Sequence, residues 1–555
     1  MRIVILTAIS FFIMGNSVFA ENILHTNAFK RYHPFKFETT DASGIQLFGA
    51  GNETVSFQVV INAPRSYGEK ISVKFQGMSG SGTIGKENLE LFLLENCQGS
   101  SYSEDCLIPI SESIVSLSGH GAGYKIIWCD LYIPPEQTRG NYQGTLTLSS
   151  GKKQIPSIAI NLQVYPFSLP RKPSLETDLN NYGVKFVKKK WKHKTGTDKA
   201  YRIERAFCSM ARKHRMTFNP LPYKSQRGRP HPTMAPVLEG KGADMRVKDW
   251  TDYDKRYGPL FDGSAFEDNI PIDHQYLPFN PEWPSDFSNY LDNREIYEKE
   301  WEQIANEFVR HFREKGWNRT VFQVYMNQKP SSKNRIPWHL DEPKGVKSYK
   351  ALRYYADLTH RIFPQDSDIK VRFRIDISHF FCDEHKGSRK KDLRVNKGFD
   401  ILKPVDIWVI SRHSMKSATA QEQALKLKNM GKTVYEYSTD PRITESLTKA
   451  IQFGWNAWLR KEHGILFWNT VKFKKRATDG KDFIVYPGAD YNIEGPVVSA
   501  RLKAIRRGIQ DYEYFRLASK YNDTDSLIKE HMTDNPDDYV VCRKKIAEMI
   551  ISGVK

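Results

Sequence analysis

Cysteine is scarce: six residues in a chain of 555, with no CxxC spacing and no His or Cys cluster at metal-ligand intervals. That excludes a fold built on disulfides and gives no sequence sign of a metal site. Cys97 and Cys106 flank a short polar loop and are expected to pair if the compartment is oxidising. Cys129, Cys208, Cys382 and Cys542 are expected to be small buried hydrophobes. Long apolar runs are also missing. The one candidate is Ile3 to Met14, twelve residues and too few to span a bilayer. No Gly-rich phosphate loop opens a helix, no internal repeat recurs, and no segment is of low complexity.

What is present begins with an address. Arg2, the apolar stretch Ile3 to Met14 and the small-x-small site Val18-Phe19-Ala20 have the order of a cleavable secretory leader. Residues 1–20 are therefore expected to be removed and the protein exported, periplasmic or extracellular, with no integral membrane segment. Lysine and arginine number 83 against 64 acidic residues, a net charge of +19, or 82 − 64 = +18 without Arg2. Such an excess suits an anionic partner. Export makes nucleic acid a poor choice among them.

Residues 21–165 read as an all-β sandwich. Short alternating runs such as Val55 to Val60 and Thr145 to Leu148 lie between Gly, Asn and Pro clusters. A linker over 166–174, marked by Pro166, Pro170 and Pro173, then leads to a different pattern. From 175 to 520 strands alternate with helices. Strands are expected at 175–182, from 216, weakly at Pro259 to Phe261, and at 320–326, 369–377, 405–411, 432–438 and 464–470. Helices are expected at 199–214 and along the stripe Tyr297, Trp301, Ile304, Phe308 and Phe312, closed by Gly316. Eight such units imply a parallel sheet and fit a (β/α)8 TIM-type barrel, with a doubly wound open sheet as the alternative. Residues 521–555 are expected to form a helical tail.

A barrel carries its active site at the carboxyl ends of its strands. Those ends place Asn181, Asn219, Tyr325, Asn327, Asp376, Tyr437, Trp468 and Asn469 around one pocket as candidate substrate contacts. Amides, carboxylates and indoles of this kind suit a sugar, whose hydroxyls take hydrogen bonds and whose ring face stacks on aromatics. The sharpest local feature is Trp338-His339-Leu340-Asp341-Glu342-Pro343. Neighbouring carboxylates can act as proton donor and charge stabiliser at a glycosidic bond if the backbone bends between them. Pro343 favours such a bend. The lysines between Lys185 and Lys194 are expected on a loop rimming this face and, with Lys329, Lys333 and Arg335 of the insertion near the fourth strand, to suit an anionic polysaccharide.

Several blocks resemble glycoside hydrolase family 123 and its uncharacterised relatives. They are Trp128-Cys129-Asp130, Pro134-Pro135, Gly140 to Gly144, Phe167 to Pro170, Leu340 to Pro343, Gly464 to Trp468, Tyr486 to Gly488, Ser499 to Leu502 and Arg506 to Tyr514. The resemblance implies a β-sandwich joined to a (β/α)8 barrel. It also implies a retaining β-N-acetylgalactosaminidase in which the substrate's own 2-acetamido oxygen attacks the anomeric carbon. On this chain Glu342 would be the general acid/base and Asp341 would orient the acetamido N–H, without cofactor or metal. The chain departs from the family pattern in one place, because Asn327 to Pro337 separates the fourth strand from the Asp-Glu pair. Two other readings stay open: a barrel hydrolase for a sulfated or uronate-bearing glycan, and a non-catalytic glycan-binding protein. The helix Arg501 to Tyr514 is expected to pack under the barrel rather than to touch substrate.

Overall fold

The structure is a computed structural model that describes residues 23–31, 44–62, 67–96, 104–110, 114–117, 124–151, 155, 157–223, 228–378, 400–439, 441–471, 480–481 and 483–554. The expected leader, Cys97 and Cys382 lie outside these residues.

Two sheets form the first part. One has the order Ile23–Asn27, Glu53–Asn62, Tyr124–Ile133, Leu89–Asn96, Glu104–Pro109, Pro496–Ser499 and Val485–Pro487, all antiparallel. The other runs Ile45–Gly51, Ile158–Ser168, Gly140–Ser149, Lys70–Gly80 and Thr83–Ile84. Strand alternation explains the packing. Phe57, Val59, Ile127 and Leu131 meet Val73, Leu146, Ile160 and Leu162 of the opposing sheet in one buried cluster. Between them, Val60, Ile126 and Trp128 face the other way and join the core of the second part. The expected linker at 166–174 is partly strand, since Ile158–Ser168 runs into it. The two strands 485–487 and 496–499 also return from the second part to extend the first sheet.

The second part is a nearly closed sheet of eight parallel strands: β1 (Glu176–Tyr182), β2 (Thr217–Leu221), β3 (His274–Tyr276), β4 (Val321–Tyr325), β5 (Val371–Ile377), β6 (Ile407–Ser411), β7 (Thr433–Ser438) and β8 (Gly464–Trp468). The spatial order β2-β1-β8-β7-β6-β5-β4-β3 leaves one seam, between β2 and β3. There the Tyr276 backbone N–H donates to Asn219 Oδ1 at 3.4 Å, a side-chain contact in place of a ladder. Helices such as Asp198–Lys213, Arg294–Lys315, Val346–Ile362, Ala418–Asn429 and Thr448–Leu459 lie in the strand connections.

Three local expectations are corrected. Pro259 to Phe261 is the last turn of a helix, Thr251–Phe261, and the third strand is the three-residue His274–Tyr276. A short apolar run does not distinguish strand from helix, and β3 lacks an apolar pattern because His274 and Tyr276 turn inward to Asp178 and Arg374 while Gln275 lies on the other face. The lysine-rich segment after β1 is a helix, Lys185–Trp191, anchored by buried Phe186 and Val187, rather than a loop. Asn219 lies inside β2, not at its end.

The helix Ala500–Ala518 joins the two parts, and its charged residues are buried. Lys503 Nζ and Arg506 Nη1 lie 2.6 Å and 3.0 Å from Asp130 Oδ2, and Trp128 Nε1 donates to Asp130 Oδ1 at 2.8 Å. Burial alone would push the Asp130 carboxyl up, but Arg506 and Lys503 hold it well below the usual carboxylate range. Arg501 pairs with Asp105 at 2.9 Å, and Arg543 of the helix Pro536–Val554 bridges Glu53 and Asp511. Among the described residues no helix is long and apolar enough to cross a membrane.

Asp130→Ala, which strands two buried cations, is expected to lower unfolding free energy by about 3–5 kcal/mol in urea denaturation. Arg202→Ala, which breaks an exposed pair with Glu494, is expected to cost at most about 1 kcal/mol. Equal effects would refute this account of the junction between the two parts.

Candidate active site

Alternation also decides what lines the inside of the barrel. Leu179, Phe218, Phe322, Val324, Ile375, Trp408, Ile410, Ile465 and Phe467 point outward into the main core. Their neighbours point inward, and the interior is polar at one level and aromatic at the next. Tyr437 and Trp468 pack with Ile407, Val409, Tyr435 and Leu466. Tyr182 and Trp468 also join Leu221, Tyr276 and Tyr325, so Trp468 belongs to both groups. Its ring meets Tyr182 edge-on, with centroids 4.5 Å apart.

Arg374 on β5 organises the polar level. Its side chain is 1% exposed, and its Nε and Nη2 grip Asp376 Oδ1 and Oδ2 at 2.7 Å and 2.8 Å. Nη1 donates to the Tyr276 hydroxyl and lies 3.4 Å from Asp178 Oδ2. Asp178 also holds His274 Nε2. Burial alone would lower this imidazole, but Asp178 raises it to about 9, so His274 is a cation at neutral pH. The guanidinium lies 4.8 Å from the Tyr325 ring centroid, and Asn180 Nδ2 donates to the Tyr276 hydroxyl at 2.6 Å.

The Asp-Glu pair arrives on the long loop after β4. The insertion Asn327 to Pro337 folds back so that Leu340 N–H donates to Gln328 O at 2.9 Å. Buried Ile336 and Leu340 tie it to the core, and Trp338 packs edge-on against Phe287 and Tyr290. Just past this anchor Glu342 takes φ +50, and Gly345 takes φ +80. A left-handed non-glycine costs on the order of 1–2 kcal/mol, so the bend must be held from outside. Glu342 N–H donates to the Asp376 carbonyl at 3.1 Å. The Tyr437 hydroxyl donates to Glu342 Oε1 at 2.9 Å, and Tyr325 donates to Asp341 Oδ1 at 2.9 Å. Lys329 Nζ spans both acids, 3.0 Å from Asp341 Oδ2 and 3.1 Å from Glu342 Oε2.

These contacts set the charges. Burial raises the Asp341 carboxyl to about 6; Lys329 pulls it down, while Asp376 and Glu342 push it up. Burial would lower the Lys329 ammonium, but Asp341 and Glu342 more than reverse this, so it stays charged. Burial and then Glu342 raise the Tyr437 hydroxyl, keeping it a donor. Asp341 is thus ionised only above about pH 6.

Of the residues singled out from the sequence, Tyr325, Asp341, Glu342, Asp376 and Tyr437 converge here, with Trp468 beside them. Asn219 does not line the pocket: it is fully buried and closes the β2–β3 seam. Asn181 faces away from the barrel, its Nδ2 turned to Gly183 O at 3.0 Å, and Asn180 takes the inward place. Asn327 is buried under the loop, its Oδ1 accepting from Gln328 at 3.2 Å. Asn469 follows β8 half-buried. Sequence reasoning missed Asp178, His274, Tyr276 and Arg374 as interior residues and treated Lys329 only as rim charge. The Arg374-x-Asp376 spacing, two inward positions on one strand, was a usable signal for Arg374. Among the described residues no group of three or more His, Cys, Asp or Glu side chains is placed to hold a metal ion.

The class these observations define is a β-sheet domain joined to a nearly closed parallel eight-stranded sheet with paired acids at its mouth. The whole chain is similar in fold to a family 123 glycoside hydrolase from Clostridium perfringens that was studied for glycolipid glycan hydrolysis. The TM-score is 0.64 over 96% of this chain and 97% of that one, at 14% identity. The Bacteroides ovatus GH5 xyloglucanase matches at a TM-score of 0.31 and 10% identity over 84% of this chain and 99% of that one, too weakly to carry weight. No protein-family model matches the chain, and no curated protein matches it in sequence.

Lys329→Met removes the nearest cation from Asp341, so the ionised form loses support and the midpoint must rise above its present value of about 6. Carboxyl-carbon NMR titration of labelled protein measures this directly. A midpoint that stays put or falls would contradict the arrangement.

Proposed function

We propose that the protein is a glycoside hydrolase that cleaves β-linked N-acetylgalactosamine-type sugars by substrate-assisted, retaining hydrolysis. One observation carries the reading: adjacent acids are held at the mouth of the barrel by different partners, Asp341 by Tyr325 and Glu342 by Tyr437, with their backbone bent between them. The bend lets neighbouring side chains address one sugar, as a straight strand would not. The likeness in fold to a family 123 enzyme over nearly the whole chain adds to it. The same reading takes the eight-stranded sheet as a (β/α)8 barrel and the protein as exported.

In this mechanism the 2-acetamido oxygen of the sugar attacks the anomeric carbon as the glycosidic bond breaks. Glu342 gives its proton to the leaving oxygen and, as a carboxylate, then takes one from the water that opens the oxazolinium intermediate. Asp341, ionised above about pH 6, accepts the acetamido N–H and steadies the developing positive charge. Tyr325 holds Asp341 in place. Tyr182, Tyr437 and Trp468 offer apolar ring surface to the sugar.

Glu342→Gln is expected to lower kcat by about two to four orders of magnitude on a phenyl β-glycoside of N-acetylgalactosamine, whose poor leaving group needs protonation. On a dinitrophenyl glycoside, whose leaving group needs little, the loss should be much smaller. Product formation followed by chromatography, with NMR for anomeric configuration, measures both. Tight glycan binding without turnover, unchanged by Glu342→Gln, would favour a non-catalytic binding protein instead.

A further inference from the structure

Lys329 sits on a contact that this reaction has to break. Its ammonium lies 3.0 Å from Asp341 and 3.1 Å from Glu342. A carboxylate in an ion pair is held in its ionised form. A general acid must meet the leaving oxygen protonated. Asp341, which works as an anion, gains from the lysine, whereas Glu342 donates a proton less readily while the lysine stays on it. One cation thus serves two acids with opposite requirements.

The loop is built so that the lysine can change partner. An ammonium has three donors on a flexible four-carbon stem, and the Lys329 side chain is 36% exposed. Tyr437 keeps its own bond to Glu342 Oε1, so the carboxyl stays oriented when the lysine leaves. The surroundings are positive. Residues 327–348 contain five lysines and arginines (Lys329, Lys333, Arg335, Lys344 and Lys347) against only the two acids of the pair. Burial, and then Lys344 and Lys329, hold the His339 imidazole below its ordinary range, as expected in a positive local field.

We propose that Lys329 is a specificity-determining residue that selects a sugar bearing an anionic substituent, a sulfate ester or a carboxylate, by keeping Asp341 and exchanging Glu342 for that substituent. The freed Glu342 takes a proton from solvent and becomes the acid. A neutral sugar gives the lysine nothing to move to and leaves Glu342 paired. This inference rests on the reading of Glu342 as general acid and adds to it the chemistry of the substrate.

The test compares kcat/KM on the phenyl β-glycoside of N-acetylgalactosamine, its O-sulfated counterparts and the phenyl β-glycoside of N-acetylgalactosaminuronic acid, which keeps the 2-acetamido group, the last arm separating carboxylate from sulfate. Wild type is expected to prefer an anionic substrate by about tenfold or more, the effect of one additional charge-assisted contact. Lys329→Met should bring the ratio close to one, and Lys329→Arg should keep part of it. A ratio taken on one preparation does not depend on how much of it is folded. A wild type that prefers the neutral sugar, or a ratio unchanged in Lys329→Met, overturns the proposal. Calorimetric binding of N-acetylgalactosamine and its O-sulfated forms reads the same preference without turnover. If no glycoside is cleaved, the hydrolase reading fails, yet tighter binding of the sulfated sugar that Lys329→Met abolishes still upholds the role of Lys329. Equal binding of the two sugars overturns it.

Discussion

Buried charge has to be paired, and this constraint positions the two parts of the molecule. The helix Ala500–Ala518 is covered on nearly every side while carrying Arg501, Lys503, Arg506, Asp511 and Glu513 in buried positions. Each unpaired ion of this kind would cost several kcal/mol. Their partners come from elsewhere in the chain: Asp105 and Asp130 from the first sheet, Arg543 from the C-terminal helix, and Ser174 from the stretch between the two parts. In this placement of the sheet domain against the barrel each of them has a partner. Two of the blocks that resemble family 123, Trp128 to Asp130 and Arg506 to Tyr514, lie in this network.

The same constraint works inside the barrel. Arg374 is too buried to be left alone, and its fork is filled by Asp376, with Asp178 and the Tyr276 hydroxyl completing its partners. That fixes Asp376, and Asp376 then acts twice. Its backbone carbonyl holds the strained Glu342 N–H, and its carboxylate helps to raise Asp341. The pair at the mouth therefore depends on ionic contacts that begin at His274 and Asp178 deep in the sheet. A loop without regular structure is held in place because its bend is tied to a strand.

Much of the fold was legible because its signals are local. Alternation identified the first sheets, the stripe from Tyr297 to Phe312 identified the longest helix of the barrel, and most strands of the barrel fell within a few residues of where their apolar runs suggested. The failures share a cause. β3 is three residues long with an imidazole and an amide among them, so it has no apolar pattern, and Thr251–Phe261 ends in a run that resembles a strand. In the site, Asp341, Glu342, Asp376 and Tyr437 were found from strand ends and a distinctive tripeptide. Asn181 and Asn219 were misplaced because a shift of one residue reverses the face of a strand, and polarity at a strand end does not reveal which face it takes.

By itself the sequence determined most of the order of elements, the presence of two differently built parts and the adjacency of Asp341 and Glu342, because periodicity and turn chemistry act over a few residues. The tertiary structure alone decided that a loop interrupted by Asn327 to Pro337 still brings those acids to the mouth. It also decided that Lys329 bridges them, and that Asn219 closes a seam. These outcomes depend on register and closure around eight strands, which set distances between residues far apart in the chain. No window of sequence contains that information.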